Sequence, residues 1–271
     1  MAELKYKFTY DVLFKLLFQK YPDLLKRLVA ATLGISLDSI SEFIITNTEI
    51  PPEAIGDKFC KLDISMIVNG QRANLEVQVE DEKDYSERTL YHWARVYSSA
   101  LKVGQQYTAL PRVIIISIVD FIMFGCEEYR SEFGALELSR HELLSDKLAM
   151  LYFEVRKLPK VIDKNNELEL MLSLFRARTE EDLKKLEALE VAVVTQAIGA
   201  YREVVVSPEF RELERLRFEA RSNEASALAN AERKNTMTIA KRLLNRNRPI
   251  DEIMEDTGLT RKEVEDLRDT N

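Results

Sequence analysis

The fold is decided by residues 62–79, which read LDISMIVNGQRANLEVQV. Apolar and polar residues alternate on both sides of Asn69-Gly70, the dipeptide most typical of a two-residue hairpin turn. A turn at these residues brings Asp63 opposite Glu76 when positions are counted outward along both strands. The stretch therefore predicts a β-hairpin in which two carboxylates are direct neighbours.

The same register sorts the hairpin into two faces, because successive residues of a strand point to opposite sides of a sheet. The apolar face, which we expect to lie on a core, consists of Cys60, Leu62, Ile64, Met66, Val68, Ala73, Leu75, Val77 and Val79. The polar face consists of Lys61, Asp63, Ser65, Arg72, Asn74, Glu76 and Gln78. Carboxylates that face each other repel unless water screens them or a cation lies between them. The polar face therefore either meets water or binds a hard divalent ion such as Mg²⁺.

Several short motifs outside the hairpin accompany the acidic pair. They are Asp11-x-x-Phe14-Lys15-x-x-Phe18, Arg88-x-x-Tyr91, Gly104-x-x-Tyr107, the strand-like run 113–119 and Thr257-Gly258-Leu259-Thr260. Together with Lys61-Leu62-Asp63 and Leu75-Glu76-Val77-Gln78, these motifs resemble the PD-(D/E)XK nuclease superfamily. The resemblance is specifically to the Rpn group, bacterial recombination-promoting nucleases that are also described as transposases.

The resemblance implies a metal-dependent active site on the polar face of the hairpin. It makes Asp63 and Glu76 the ligands of Mg²⁺ or Mn²⁺, and Gln78 the third member of the active site. The superfamily has lysine where Gln78 stands, and a glutamine amide cannot act as a general base at neutral pH. Activation of the attacking water then falls to the metal. Lys61, opposite Gln78 in the predicted register, is the candidate to supply the missing positive charge.

Residues 84–103 are predicted to form a helix whose buried stripe comprises Leu90, Trp93, Ala94, Tyr97 and Leu101. Another side of this helix carries Arg88, Tyr91, Arg95 and Lys102, which either contact phosphates or form a solvated face. The resemblance supports DNA contact for Arg88 and Tyr91. On the first helix, Asp11 and Lys15 are four residues apart. They form either an exposed ion pair or a contact of Lys15 with the rim of the active site.

The order of the predicted elements indicates the fold class. They are a helix over 10–33 that ends at Gly34, a strand over 39–48, the hairpin, the 84–103 helix and a fully buried strand over 113–119. Helix, three strands, helix and strand is the core order of the restriction-endonuclease-like fold. We therefore predict an α/β protein with a restriction-endonuclease-like core, a mixed sheet flanked by helices, and a C-terminal helical region.

Three domains are predicted from the changes of composition along the chain. Residues 1–160 form the nuclease-like core, with further strands within 131–155 and an amphipathic stretch at 143–148 between them. Residues 161–235 form a helical extension that includes one helix over 180–206, and this extension is either packed on the core or dimerising. Residues 236–271 form a small module with the cadence of a helix-turn-helix.

The C-terminal module offers two features for a partner. Its second helix carries more acids than cations, which argues against reading of bases and favours packing or assembly. The strongest basic patch of the chain precedes the first helix of this module. It consists of Lys241, Arg242, Arg246 and Arg248, and the segment between Lys234 and Ile250 contains no acid.

The chain has 271 residues and a formal net charge of −7. This charge counts against a nucleic-acid enzyme unless cations are concentrated in a channel. Cys60 and Cys126 are expected to be reduced packing residues, and the presence of only two histidines, His92 and His141, argues against a histidine-based zinc site. No run has the apolar length of a membrane span and the start does not resemble a signal peptide, so we expect a bacterial cytoplasmic protein without a membrane partner.

These observations predict a metal-dependent DNA endonuclease that hydrolyses phosphodiester bonds, with DNA as partner and a homodimer as a candidate assembly. The resemblance links it to recombination and to the processing of mobile-element or phage-related DNA. The alternative is a catalytically lapsed relative that acts as a DNA- or protein-binding module. A structural homodimer without a nucleic-acid role is a third interpretation.

Overall fold

A computed structural model describes residues 3–46, 49–50, 60–61 and 63–269. Its contacts divide the chain into an N-terminal unit, which ends at Phe210, and a C-terminal unit, which begins at Arg211. The domain boundaries expected after residues 160 and 235 stay predictions. Within the part of the chain that is described, no helix combines the length and the apolar character that a membrane span requires.

The described residues form nine helices and eight strands. The helices are α1 (Asp11–Lys20), α2 (Pro22–Leu33), α3 (Tyr85–Ser99), α4 (Glu167–Arg176), α5 (Glu180–Glu187), α6 (Ala192–Val206), α7 (Pro208–Asn245), α8 (Ile250–Thr257) and α9 (Arg261–Asp269). The strands are β1 (Phe43–Thr46), β2 (Glu49–Ile50), β3 (Cys60–Lys61), β4 (Ile64–Val68), β5 (Gln71–Gln78), β6 (Val113–Val119), β7 (Arg130–Leu136) and β8 (Leu143–Glu154).

Six strands form one mixed sheet in the order β1-β4-β5-β6-β8-β7. β1, β4 and β5 are antiparallel neighbours, β5, β6 and β8 run parallel, and β7 returns antiparallel to β8. This sheet, flanked by helices, confirms the predicted restriction-endonuclease-like fold class. Residues 143–148, expected as a separate amphipathic stretch, are part of β8.

The predicted hairpin is present, with its turn at Asn69 and Gly70. Both residues have positive φ values, 48° and 77°, as the favoured two-residue hairpin turn requires. The ladder between β4 and β5 runs from the turn to Ile64, which pairs with Leu75. The register read from the turn is therefore confirmed along the whole of β4.

Beyond the ladder, the register expected for Lys61 is wrong. Asp63, the residue before Ile64 in the chain, lies in a bend, and β4 begins only after it. Lys61 pairs with Glu49 in a separate two-stranded sheet formed by β2 and β3.

The central strand β6 is buried along its whole length, because both faces of the sheet are covered. On one face, Ile114, Ile116 and Ile118 belong to a core shared with α1, α2, α4, α5 and α6. On the other face, Val113, Ile115 and Val119 pack with residues of α3. The prediction of a strand buried on both sides is confirmed.

The polar face of the hairpin lies on the α3 side of the sheet. Ser65, Asn74 and Glu76 are all buried there, and the Ser65 hydroxyl donates a hydrogen bond of 2.6 Å to the Asn74 side chain. The interpretation of this face as solvated is therefore wrong for these three residues, because α3 packs on this side of the sheet.

Two of the predicted helices are each divided in two. Residues 10–33 form α1 and α2, because Pro22 begins α2 and has no N–H with which to continue α1. Gly34 ends α2 in the left-handed region, with φ of 67°, as predicted. Residues 180–206 form α5 and α6, and Glu190 lies between them with φ of 57°.

The predicted stripe of α3 is confirmed in part. Trp93 and Tyr97 pack against the core on this face of the sheet, whereas Leu90 and Ala94 are exposed. The buried residues of the helix are Tyr85, Thr89 and Val96. Arg88 and His92 bond to the polar groups at the end of β5.

The C-terminal unit has a small core of its own. The end of α7 packs with α8 and α9 through Ala240, Ile253, Leu259, Val264 and Leu267. Gly258 ends α8 in the left-handed region, with φ of 69°. The two helices expected in this segment are therefore present.

Candidate active site

A cavity of the N-terminal unit gathers most of the predicted site residues. Its volume is about 420 Å³, and its lining consists of Asp11, Lys15, Asp63, Glu76, Val77, Gln78, Arg88 and His92. α1 supplies the first two residues, the hairpin and the bend before it supply the next four, and α3 supplies the last two. Three chain segments that are distant in sequence thus meet at the end of β5.

Asp63 is held by groups on two sides. Its Oδ2 accepts a hydrogen bond of 3.1 Å from the backbone N–H of Val77, and its Oδ1 lies 3.1 Å from Lys15 Nζ. Burial raises the pKa of the Asp63 carboxyl, and the charge of Glu76 raises it further. Lys15 and the Val77 N–H act in the opposite direction but do not compensate, so the net pKa is raised.

Lys15 is the cation next to the acidic pair. Its ammonium also lies 2.6 Å from Asp11 Oδ1, one helical turn earlier on α1. Burial lowers the pKa of Lys15, but Asp63 and Asp11 outweigh that effect, so the pKa is raised and the ammonium stays charged. Both interpretations offered by the sequence are therefore observed, since Lys15 pairs with Asp11 and also contacts the rim of the active site.

Glu76 is 5% exposed and bonded to α3. Its Oε1 lies within hydrogen-bond distance, 2.7 Å, of His92 Nδ1. The surroundings are apolar on the side of Tyr85, where burial raises the pKa of the phenol well above its ordinary value and the charge of Glu76 adds to the rise. Glu76 is thus a buried acid fixed by one directed partner.

Gln78 has both ends of its amide occupied. Oε1 accepts a hydrogen bond of 2.6 Å from Arg88 Nη2, and Nε2 donates one of 2.9 Å to the backbone oxygen of Glu80. The Arg88 guanidinium also pairs with Glu82 and lies 4.9 Å from the centre of the Tyr85 ring. Gln78 therefore orients Arg88 in the cavity and offers no proton-accepting group.

The donor set of the cavity fits a hard divalent cation. Mg²⁺ prefers oxygen ligands, and it typically takes one or two protein carboxylates and leaves the other positions to water and phosphate. Asp63 and Glu76 provide that number. Burial, and to a smaller extent the charge of Glu76, raise the pKa of Asp63, and a cation bound by both acids would offset both effects. Among the described residues, no group of three or more His, Cys, Asp or Glu side chains is arranged to hold a metal. The chemistry is that of an open site, completed by solvent or substrate.

One predicted site residue, Tyr91, does not join this group. It lies on α3, is 37% exposed and is not among the residues that line the cavity. The side chain of Lys61 lies outside the described part of the chain, so its role stays a prediction. Lys15, whose ammonium contacts Asp63, supplies a cation next to the acidic pair.

His92 is the cavity residue that the sequence analysis missed. The expectation stated for His92 concerns zinc binding alone, although its position on α3 also carries a signal for the cavity. His92 follows Arg88 by four residues, so both lie on one face of α3. Once Arg88 was assigned to the active site, the same face predicted His92 beside it.

Comparison with known proteins gives one match. A family model described as "PD-(D/E)XK nuclease family transposase" matches residues 8–231. No curated protein and no solved structure matches the chain. The matched segment includes α1, the hairpin and α3, and it ends within α7, so that α8 and α9 lie beyond it.

Proposed function

Because the chain belongs to the PD-(D/E)XK nuclease family transposases, we propose that it is a metal-dependent endonuclease that hydrolyses phosphodiester bonds of DNA. The observation that carries the proposal is the meeting of Asp63 and Glu76 in one cavity, beside two cations. The transposase description of the family supports a role in recombination or in the processing of mobile-element or phage-related DNA.

Asp63 and Glu76 are the proposed ligands of Mg²⁺ or Mn²⁺. When bound, such an ion polarises the phosphate and lowers the pKa of the attacking water. His92 holds Glu76 in one orientation, and the Val77 N–H does the same for Asp63. The chain thereby fixes both acids before substrate arrives, which reduces the entropy lost on forming the reactive arrangement.

Lys15 and Arg88 are the proposed phosphate-facing cations. Lys15 carries the positive charge that the superfamily places at the position of Gln78, and Arg88 is oriented by the Gln78 amide. A guanidinium donates two parallel hydrogen bonds to a phosphate, which favours Arg88 for binding of the scissile group. Tyr91, exposed on the same helix, is proposed to contact DNA outside the cavity.

The experiment is cleavage of supercoiled plasmid with millimolar Mg²⁺ or Mn²⁺. We expect the native chain to cut, and Asp63→Asn and Glu76→Gln each to reduce the rate by at least about a hundredfold, as loss of a group that acts at the reacting phosphate predicts. Asp23→Asn, an exposed acid of α2, is the matched control and should cut at the native rate. Equal nicking by all four proteins would refute the assignment.

A catalytically lapsed relative that binds DNA or a protein partner is the second candidate. It is favoured by the side-chain contacts already present in the cavity. Asp63 contacts Lys15, Glu76 contacts His92, and Gln78 contacts Arg88. Metal titration separates the two candidates, because a ligand that binds only the folded state raises its stability. A melting temperature unmoved by millimolar Mg²⁺ and Mn²⁺, together with no cleavage, would favour the lapsed form.

A homodimer and a cytoplasmic location stay proposals of the sequence analysis. Cleavage of both DNA strands needs two active sites or two successive events, and a dimer would supply the two sites. Sedimentation of the full chain with and without DNA tests the dimer directly.

A further inference from the structure

The end of α7 and the turn that follows it carry a row of cations that belongs to no function described so far. It consists of Lys234, Lys241, Arg242 and Arg246, which we call the basic face. The segment from Lys234 to Ile250 contains no acid, although the chain as a whole has a formal net charge of −7. The basic face also lies beyond residue 231, where the match to the family model ends.

Helix geometry places these cations away from the core of the C-terminal unit. Ala240 is fully buried between α8 and α9, and Met237 and Leu244 pack around it. At 3.6 residues per turn, positions 234, 241 and 242 fall on the half of the helix away from Ala240. Arg246 lies in the turn that follows α7. Lys234, Arg242 and Arg246 are exposed and Lys241 is half-buried.

Within the described residues, the four members of the basic face are free of intramolecular ion pairs, whereas several other cations of the same unit are not. Arg215 pairs with Glu212 and Glu219, Arg233 with Glu263, Arg248 with Glu252, and Arg261 with Asp251. Lys241, Arg242 and Arg246 are close together along the chain, and like charges at short distance repel each other. An external polyanion would remove this repulsion.

We propose that the basic face binds the phosphate backbone of duplex DNA without reading its sequence. The inference rests on the proposed nuclease function only for the choice of DNA as the polyanion. Duplex DNA carries one negative charge per about 1.7 Å of its axis, so a rigid row of cations neutralises several phosphates at once. The acids of α9 lie on the helix that packs against the buried side of α7, and they do not interrupt the row.

The surroundings of the basic face favour DNA over a lipid surface. A helix that lies in a membrane interface exposes an apolar side next to its cations. Here Met237, Ala240 and Leu244, on the apolar side of the segment, belong to the core of the unit. Thr238 and Asn245, which lie between the cations, are exposed and polar. Such a surface fits phosphates that remain in water.

The test measures DNA affinity of the full chain as a function of salt, without metal. All proteins carry Asp63→Asn so that no cleavage occurs, and a mixed-sequence duplex of about 30 base pairs is the probe. One variant adds Lys241→Gln, Arg242→Gln and Arg246→Gln. The control adds Arg211→Gln, Arg221→Gln and Lys262→Gln, which are exposed cations of the same unit, so the net charge changes equally.

Loss of three phosphate contacts is expected to reduce the slope of log affinity against log salt by about 2.7. The control is expected to keep the slope of the parent protein, and the single variants Arg242→Gln and Arg246→Gln should each reduce it by about 0.9. Equal slopes for the two triple variants would overturn the proposal. So would a triple variant that binds DNA normally but loses binding to phosphatidylserine vesicles or to polyglutamate.

The result is separable from the fate of the nuclease proposal. Cleavage by the native chain with unchanged slopes would reject the basic face and retain the active site. Changed slopes in a chain that never cleaves would retain the basic face and reject the active site.

Discussion

Replacement of Asp63 by asparagine is predicted to stabilise the fold while it abolishes cleavage. Burial and the charge of Glu76 disfavour the ionised form of Asp63, whereas Lys15 and the Val77 N–H favour it. The net rise of the Asp63 pKa means that the unfavourable effects are larger. Asparagine keeps an oxygen that accepts from the Val77 N–H and loses the ion pair with Lys15.

The direction of the effect depends on pH. The folded-state pKa of Asp63 lies above the unfolded-state value of about 3.9, so the stability that Asp63 contributes is complete below that pH and is lost as pH rises through the folded-state pKa. Asparagine does not ionise and avoids the loss. The net rise of the pKa already includes the ion pair with Lys15. We therefore expect a gain in stability at neutral pH of the size that single stabilising substitutions commonly give, about 1 kcal/mol, equivalent to about 3 °C in melting temperature.

Thermal unfolding of the native and variant chains at neutral pH and near pH 3.5 measures this gain. The matched control is Asp120→Asn, because Asp120 is buried between Arg156 and Arg178 and its loss should cost about 2 kcal/mol. Millimolar Mg²⁺ should raise the melting temperature of the native chain and not that of Asp63→Asn. An Asp63→Asn chain less stable than the native one at neutral pH, or a gain that persists unchanged near pH 3.5, would refute the reasoning.

Three further substitutions test the surroundings of the site. Lys15→Met should slow cleavage by at least about tenfold, since it removes the cation beside the acidic pair, whereas Lys20→Met, on the same helix but outside the cavity, should cut at the native rate. His92→Phe leaves the buried Glu76 without its hydrogen bond, and we expect the free energy of unfolding in urea to fall by about 2 kcal/mol, with partial recovery in His92→Asn. Asn69→Ala loses four side-chain hydrogen bonds to the loop before β1 and places alanine at a positive φ, so the free energy of unfolding should fall by about 2 kcal/mol. Asn69→Gly loses the same hydrogen bonds but tolerates the positive φ, so the fall in the same assay should be about half as large.

The parts of the fold that the sequence predicted are those with local causes. Asn69-Gly70 defines a turn without help from the rest of the chain, and the register of β4 and β5 follows from it. The run at 113–119 has no polar side, so burial on both faces follows from composition alone. Pro22 was an equally local signal for the end of α1, and it was overlooked in favour of a continuous apolar stripe.

The parts that were not predicted depend on contacts between distant segments. The ion pair between Lys15 and Asp63 joins residues of α1 and the hairpin, and no pattern within either segment specifies their distance. The predicted stripe of α3 failed for Leu90 because an apolar count assumes an apolar surface opposite the helix. The sheet instead presents Glu76 and Gln78 there, and polar residues of α3 turn to meet them.

An acid that opposes folding is kept in a lineage only while its chemistry is needed. Aspartate and asparagine codons differ by one base, so a duplicated gene released from the demand for cutting reaches the more stable protein in a single mutational step. Such a copy would accumulate in the cell rather than be degraded. Asparagine at position 63 in a natural descendant would therefore mark a protein that no longer cuts DNA and is retained for its binding surfaces.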